Sequence, residues 1–351
     1  QRSGNSANIG VINVLKTQRY TMQTLGTTFP PASQWHSDQQ RLLTILQTQI
    51  EERFPNQNNL LINMTWFGQQ FENHEYMKFY NYYCSHSVDN LFLLASEDPC
   101  FYNRDDTYAL FAESGAKNLY LLGHFDTEYN FNFFASVLPK YFQNYTEAQL
   151  TMQTPEYTFL SYNRKPRDHR IRLVNMLDDR KLSNLGIVTL GDNRTLNETV
   201  QEIGEENQWW PDEYGIPHDI HSLGRLDIWQ NHFLTVVSET DYEDFLWTYV
   251  TEKTFKPIIG LRPFVINGQS AVYKWLTDNG FRTFNKYWSH VNLETCDIDD
   301  IHPNICSVIE FLQTQDLKQM YLDMLPDLRY NKLRFNEFSR EQEHKMENIF
   351  C

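Results

Sequence analysis

The sequence predicts an α/β protein of two domains, and three observations carry that prediction. Short apolar runs without polar alternation recur along the chain. Helical periodicities fall between them. A polar stretch at residues 148–155, with Thr, Gln and Pro, separates two blocks of this pattern. Strand–helix alternation is the mark of a parallel sheet covered by helices. The 351 residues suit roughly two domains of about 150 each. The expected division is residues 1–150, residues 151–330 and a C-terminal helical tail at 331–351. Two α/β domains leave a cleft between them.

Eight apolar runs read as buried strands. Residues 8–15, 60–66, 91–95 and 119–122 lie in the first block, and 157–162, 185–190, 233–237 and 263–266 in the second. Strands covered on both faces read as continuous apolar runs. Between them, residues 37–54 carry Leu42, Leu43, Ile45, Leu46 and Ile50 at helical spacing, and Pro55 is the stop. Residues 169–177 form a second helical pattern. Residues 270–279 place Val272, Trp275 and Leu276 on one face, and Gly280 ends the helix. The segment 305–350 is helical in pattern and expected to break at Pro326. Residues 191–224 are polar and read as a long loop around Trp209-Trp210-Pro211.

Charge and cysteines narrow the function classes. A net charge of −15 counts against binding nucleic acid through counterion release, leaving only a local basic strip as a route to DNA. It also argues against adhesion to anionic membranes. No apolar run has transmembrane length, and no signal peptide is recognisable. The five cysteines, Cys84, Cys100, Cys296, Cys306 and Cys351, are odd in number and widely spaced. They read as reduced thiols in a cytoplasmic protein.

Open α/β sheets bind ligands beyond the carboxyl ends of their strands. The loops at those ends are therefore the places to look for chemistry. After the strand at 233–237 come Ser238-Glu239-Thr240 and then Tyr249-Val250-Thr251-Glu252-Lys253. Thr251 fits an N-cap, and Glu252 suits the first turn of a helix. Lys253 does not, because a cation at a helix N-terminus is unfavourable unless it meets an anion. A phosphate would supply one, and the free backbone N–H groups would add to its binding. A carboxylate beside it can accept two hydrogen bonds from a vicinal diol such as ribose. An ordinary capped helix accounts for Thr251 and Glu252 equally well.

The run from Tyr162 through Arg164, Arg167 and Arg170 is the most basic short stretch of an acidic chain, and it follows a strand. Arginine is the preferred forked donor to phosphate oxygens; a solvated loop is the plainer reading. In the first block, Glu97 and Asp98 follow the strand at 91–95, and Asp126 follows the one at 119–122. Any of them could act as a general base, although loop solubility explains each singly. Asp297-Ile298-Asp299-Asp300 has the spacing of a metal-binding pair of aspartates, but no strand leads into it, and it reads as the turn before a helix. No His or Cys cluster has metal-ligand spacing, and no phosphate-binding P-loop motif is present. Neither a metal nor another cofactor is expected.

Together these residues resemble a GT-B glycosyltransferase, a fold of two Rossmann-like domains facing a central cleft. The second half is similar to the donor domain of the alpha-1,3-fucosyltransferase family. That family carries a strand, a Glu-containing turn, Tyr-[Val/Ile]-Thr-Glu-Lys, a helix and a short strand. Here Glu239 and Tyr249 to Lys253 stand in that order, followed by residues 255–260 and 263–266. The likeness spans residues 233–284 and is weaker around 157–177. The form EKTFKPI…PFVI also resembles glycosyltransferases of viral and bacterial origin, whose acceptors vary widely.

The resemblance implies roles. Glu252 would hold the donor ribose and Lys253 the diphosphate, with Tyr249 lining the pocket and Thr251 and Glu239 completing it. Arg170 would hold the β-phosphate, with Arg164 a second candidate. Glu97 would be the catalytic base. The family's Glu-Asn is Glu239-Thr240 here, and residues 241–248 form an acidic-aromatic insert. The implied activity is inverting, metal-independent transfer of a hexose or pentose from a nucleotide-diphosphate sugar, GDP-fucose-like, to a hydroxyl of a glycan or other acceptor. A viral enzyme of this kind would act in the host cytoplasm. Two other readings stand beside it: a phage-type transferase glycosylating hydroxylated DNA bases, and a non-catalytic protein that binds nucleotide sugars or carbohydrate.

Overall fold

The computed structural model describes residues 23–25, 34–63, 88–95, 115–125, 127–163, 166–190, 194–195, 223–240, 242, 248–294 and 298–350. They fall into two compact units, residues 1–131 with 345–351, and residues 132–344. Each holds a parallel sheet with helices, so the α/β class predicted from the alternation holds for both. The units divide at Phe131/Asn132, upstream of the polar stretch at 148–155, and the last seven residues return to the first unit. The expected strand at 8–15 lies outside the described residues.

The first unit has the strand order β1-β2-β3-β4, all parallel: β1 Gln23–Leu25, β2 Asn59–Asn63, β3 Asn90–Ala95 and β4 Asn118–Gly123. Helix α1, Gln34–Arg53, buries the stripe Leu42, Leu43, Leu46 and Ile50. β2 and β3 are buried along their whole length, as their unbroken apolar runs require. Three strands start with Asn-Leu, and the register aligns Asn59, Asn90 and Asn118 side by side. The Asn90 amide donates to Asn59 Oδ1 at 2.8 Å, and the Asn118 amide to Asn90 Oδ1 at 2.9 Å. Such a ladder fixes register where continuous apolar runs alone would not, because a one-residue slip would break both bonds. Asn90→Ala takes the partner from two acceptors, Asn59 Oδ1 and Gln57 Oε1, and from the Asn118 amide. It is expected to lower stability by about 2–3 kcal/mol, read as a shift of the urea midpoint.

At the other end of β4 the chain turns at Gly123, where φ is +90° and a Cβ would lie 2.4 Å from Ala95 O. Only glycine fits there. The turn tucks His124 and Phe125 into the unit. The C-terminal segment is held by α1: the Gln49 amide donates to the Met346 and Glu347 carbonyls, at 3.2 and 3.0 Å. Phe350 then joins Phe54, Phe92, Tyr120 and Tyr129 in one aromatic cluster.

The second unit opens with three short helices, α2 Phe133–Val137, α3 Pro139–Phe142 and α4 Glu147–Leu150. Its sheet has the order β7-β6-β5-β8-β9. The strands are β5 Tyr157–Ser161, β6 Gly186–Leu190, β7 Arg194–Thr195, β8 His232–Ser238 and β9 Phe264–Asn267. All pairings are parallel except β6 with β7. The helices are α5 Asp168–Asp179, α6 Leu226–Asn231, α7 Glu252–Ile259, α8 Val272–Asp278, α9 Ile301–Leu312 and α10 Leu317–Glu347. The hairpin strand β7 and helix α6 fall within or just after the expected long loop, and the rest of 191–222 lies outside the described residues. Asp299 and Asp300 close a 3-10 turn that leads into α9, as the sequence suggests.

One expectation fails. The chain does not break at Pro326, which sits inside the continuous helix α10. The carbonyl that Pro326 deprives of a donor is that of Leu322, a residue 51% exposed, on a face of the helix that water reaches. Tyr321, Met324 and Leu328 are buried on the opposite side and hold the helix on course. The break falls earlier, at residues 313–316, between α9 and α10.

The connections set the position of the site. From β5 the chain crosses through α5 to β6 on one side. It later enters β8 on the other side of β5 and crosses through α7 to β9. Right-handed crossovers in opposite directions put α5 and α7 on opposite faces. β5 and β8 therefore flank the point where strand order reverses, which is where open α/β sheets take ligands.

Candidate functional site at the β5–β8 crevice

The start of α7 is held at three consecutive residues. The Tyr249 amide donates to Gln269 Oε1 at 2.7 Å. The Val250 carbonyl accepts from the Asn132 side chain at 2.9 Å, and Asn132 also caps α2. The Thr251 amide donates to Glu239 Oε1 at 3.1 Å. Thr251 is the N-cap, its Oγ1 accepting from the Lys253 amide at 3.3 Å. The other end of α7 is fixed by Gly260, where a Cβ would lie 2.3 Å from the Trp229 ring, and by the Trp229 indole N–H donating to Gly260 O at 2.9 Å.

Glu239 is fully buried and faces the helix start. Oε1 accepts from the Thr251 amide and from Thr254 Oγ1 at 2.6 Å; Oε2 accepts from Thr251 Oγ1 at 2.6 Å and the Thr240 amide at 3.3 Å. Both oxygens are occupied, so Glu239 positions α7. The helix dipole favours its charge there.

Glu252 and Lys253 lie beside this anchor. Lys253 Nζ is 2.6 Å from Glu252 Oε1 and 3.3 Å from both Thr240 Oγ1 and Thr251 Oγ1. Burial opposes the charge on Glu252, but Lys253 and then Lys256 outweigh it and hold the carboxyl below the ordinary glutamate range. The lysine side chain is 31% exposed and the glutamate 9%. Lys253 thus stands partly exposed at a helix N-terminus. Tyr249 is buried, with its ring 6.3 Å from Phe134.

From the opposite face, the first turn of α5 grips the end of β8. Arg170 is buried and its Nη2 donates to the carbonyls of Ser238 and Glu239, at 3.1 and 3.0 Å. His169 Nε2 is 3.0 Å from the same Glu239 carbonyl, and Arg167 donates to the Thr240 carbonyl. Carbonyl acceptors fix His169 as the Nε2–H tautomer. Arg170, Glu239, Tyr249, Thr251, Glu252 and Lys253 therefore converge on one crevice. Arg164, Glu97, Asp98 and Asp126 lie outside the described residues.

Several participants carried no sequence signal of their own. Tyr242 stacks between His169 and His302, with ring centroids 5.2 and 5.1 Å apart and planes within 8°. His302, at the start of α9, is 2.9 Å from Asn267 Oδ1. The Asn267 amide reaches Ser238 Oγ at 3.3 Å. Single polar residues far apart in sequence carry no spacing pattern, and only the convergence of three strand ends unites them. Asn132 and Gln269 are of the same kind.

The stacked histidines have a consequence for pH. Burial, then the Arg170 charge, pushes His169 down to about 3. Burial, then Arg172, pushes His302 to about 4. In the unfolded chain both bind protons near 6.5. Between these values the unfolded state holds more protons, so stability rises with pH. The contribution is full above about pH 6.5 and is lost as pH falls toward 4 and then 3. The unfolding free energy from urea titration is expected to fall steadily from pH 6.5 to 4.5, by on the order of a few kcal/mol, with a shallower slope in His302→Gln. An equal slope in the variant would assign the acid sensitivity to other groups.

Among the described residues, no group of His, Cys, Asp or Glu is arranged to hold a metal ion, and no helix is long and apolar enough to cross a membrane. Cys306 is free and buried, and burial pushes its thiol up to about 11. Comparison with protein-family models, curated proteins and solved structures found no match.

Proposed function

We propose that the chain is a glycosyltransferase of GT-B organisation, using its second unit for a nucleotide-diphosphate sugar and its first for the acceptor. The observation that carries this reading is the β5–β8 crevice. Two helix N-termini open there from opposite faces, and a part-exposed lysine stands on one of them beside a buried carboxylate. The positive dipole end of a helix and Lys253 suit a diphosphate. Glu252, once the phosphate takes Lys253, suits a vicinal diol.

The reaction follows from these parts. An acceptor hydroxyl attacks the anomeric carbon opposite the diphosphate. The C–O bond to phosphate breaks, its electron pair leaves with the diphosphate, and the hydroxyl proton passes to a carboxylate. Glu97 is the first candidate for that base, with Asp98 and Asp126 behind it. Lys253 and the helix N-termini offset the charge that develops on the leaving group. Attack from the opposite face inverts the anomeric centre. A GDP-fucose-like donor is favoured by the order of Glu239 and Tyr249 to Lys253.

A thermal-shift screen over nucleoside diphosphates and their sugars tests the reading. A ligand at a hundred times its Kd stabilises by about 2.7 kcal/mol, a rise of roughly 5–10 °C for a unit of this size. No shift with any of them at millimolar concentration would overturn the proposal.

A further inference from the structure

Asn163 lies two residues beyond β5, at the carboxyl end of the strand that borders the crevice, and is completely buried. Its backbone N–H donates to Thr189 Oγ1 at 3.1 Å. Its side-chain amide donates to Ser161 Oγ at 3.1 Å and to the Ser161 carbonyl at 3.3 Å. Among the described residues, its Oδ1 has no hydrogen-bond partner. The amide orientation is fixed by its neighbours, because turning it over would set Oδ1 against the Ser161 carbonyl.

A buried acceptor without a donor is costly, and folded proteins keep few of them. Apolar residues of similar volume would fill the same space without that cost. The end of β5 is also one of the two strand ends that flank the reversal of strand order, where a ligand is expected. Phosphate oxygens carry no proton to give at neutral pH, so an amide oxygen does not suit the diphosphate itself. What it suits is a hydroxyl.

We propose that Asn163 is a specificity-determining residue whose Oδ1 accepts a hydrogen bond from a hydroxyl of the bound sugar nucleotide. This rests on the function proposed above. Two hydroxyl-bearing parts of such a ligand could supply the donor, the transferred sugar or the ribose. A site built to receive a hydroxyl discriminates strongly against a ligand that lacks it, because the acceptor then stays buried and unpaired.

Asn163→Leu tests the assignment by calorimetric titration with three probes: GDP-fucose, GDP and inorganic pyrophosphate. Wild-type protein that binds none of them overturns the proposed function, and this inference with it. Given wild-type binding, Asn163→Leu is expected to weaken GDP-fucose about tenfold or more, with pyrophosphate unchanged. A loss confined to GDP-fucose assigns the hydroxyl to the transferred sugar; an equal loss with GDP assigns it to the ribose. The thermal midpoint of free Asn163→Leu is expected to change little, because removal of an unpaired acceptor is offset by loss of the amide bonds to Ser161. Equal affinity of wild type and Asn163→Leu for all three, or equal loss with pyrophosphate, overturns the role.

Discussion

Replacing Glu239 with alanine is expected to destabilise the protein by about 3–5 kcal/mol. The carboxylate is fully buried and accepts four hydrogen bonds, two from backbone amides and two from threonine hydroxyls. Its loss strands those donors at the end of β8 and removes the negative charge that complements the α7 N-terminus. Glu239→Gln keeps the shape but loses the charge and presents an amide where both oxygens accepted. It should cost less, about 1–3 kcal/mol. Urea denaturation reads both, through the midpoint at constant slope. If Glu239→Ala unfolds at the wild-type midpoint, the carboxylate is not the anchor of α7. The same variant should lose ligand binding, but only in proportion to the loss of ordered α7.

Lys253→Ala has the opposite signature. It is expected to weaken binding of a nucleoside diphosphate roughly tenfold to a hundredfold, the worth of a charge-assisted hydrogen bond. The fold should persist, because the side chain is 31% exposed. A smaller cost in stability should still appear, since Glu252 loses the charge that holds its carboxyl down while burial continues to act against it. Lys253→Arg keeps the charge in a forked geometry and should recover only part of the affinity. Isothermal titration with GDP and with pyrophosphate separates the cases. Equal affinity of Lys253→Ala and wild type for both would take the lysine out of the site. Read together, the two variants distinguish the residue that builds the helix start from the residue that uses it.

The elements that read most directly were those whose own residues decide them. β2, β3 and β8 are continuous apolar runs, and each is buried along nearly its full length. α1 shows its stripe and its stop. Thr251 reads as an N-cap from its type and place, and its hydroxyl does accept the Lys253 amide. Tyr249 to Lys253 and Arg170 stood out because a cation at a helix start, or several in an acidic chain, invite an explanation.

Other features depend on partners distant in sequence. Pro326 breaks a helix considered alone, but buried neighbours on the far side of α10 outweigh one missing bond on an exposed one. The unit boundary at Phe131/Asn132 follows from where α2 to α4 pack, and no compositional change marks it. Arg170 was expected at a phosphate, yet its guanidinium reaches the carbonyls of Ser238 and Glu239, 68 and 69 positions along the chain. Glu239 was grouped with ligand contacts, and its oxygens are taken up by Thr240, Thr251 and Thr254.

By itself the sequence determined where most of the described strands and the longer helices lie, though not β1, β7, α2 to α4 or α6, and which of their ends carry charge, because apolar period, capping and charge are local properties. Only the tertiary structure decided what those charges meet. Strand order set β5 beside β8, opened two helix starts on one crevice, turned Glu239 inward and left Lys253 partly exposed. The physical reason is that burial and hydrogen-bond saturation belong to a residue's surroundings, and here those surroundings come from segments tens to more than a hundred residues apart.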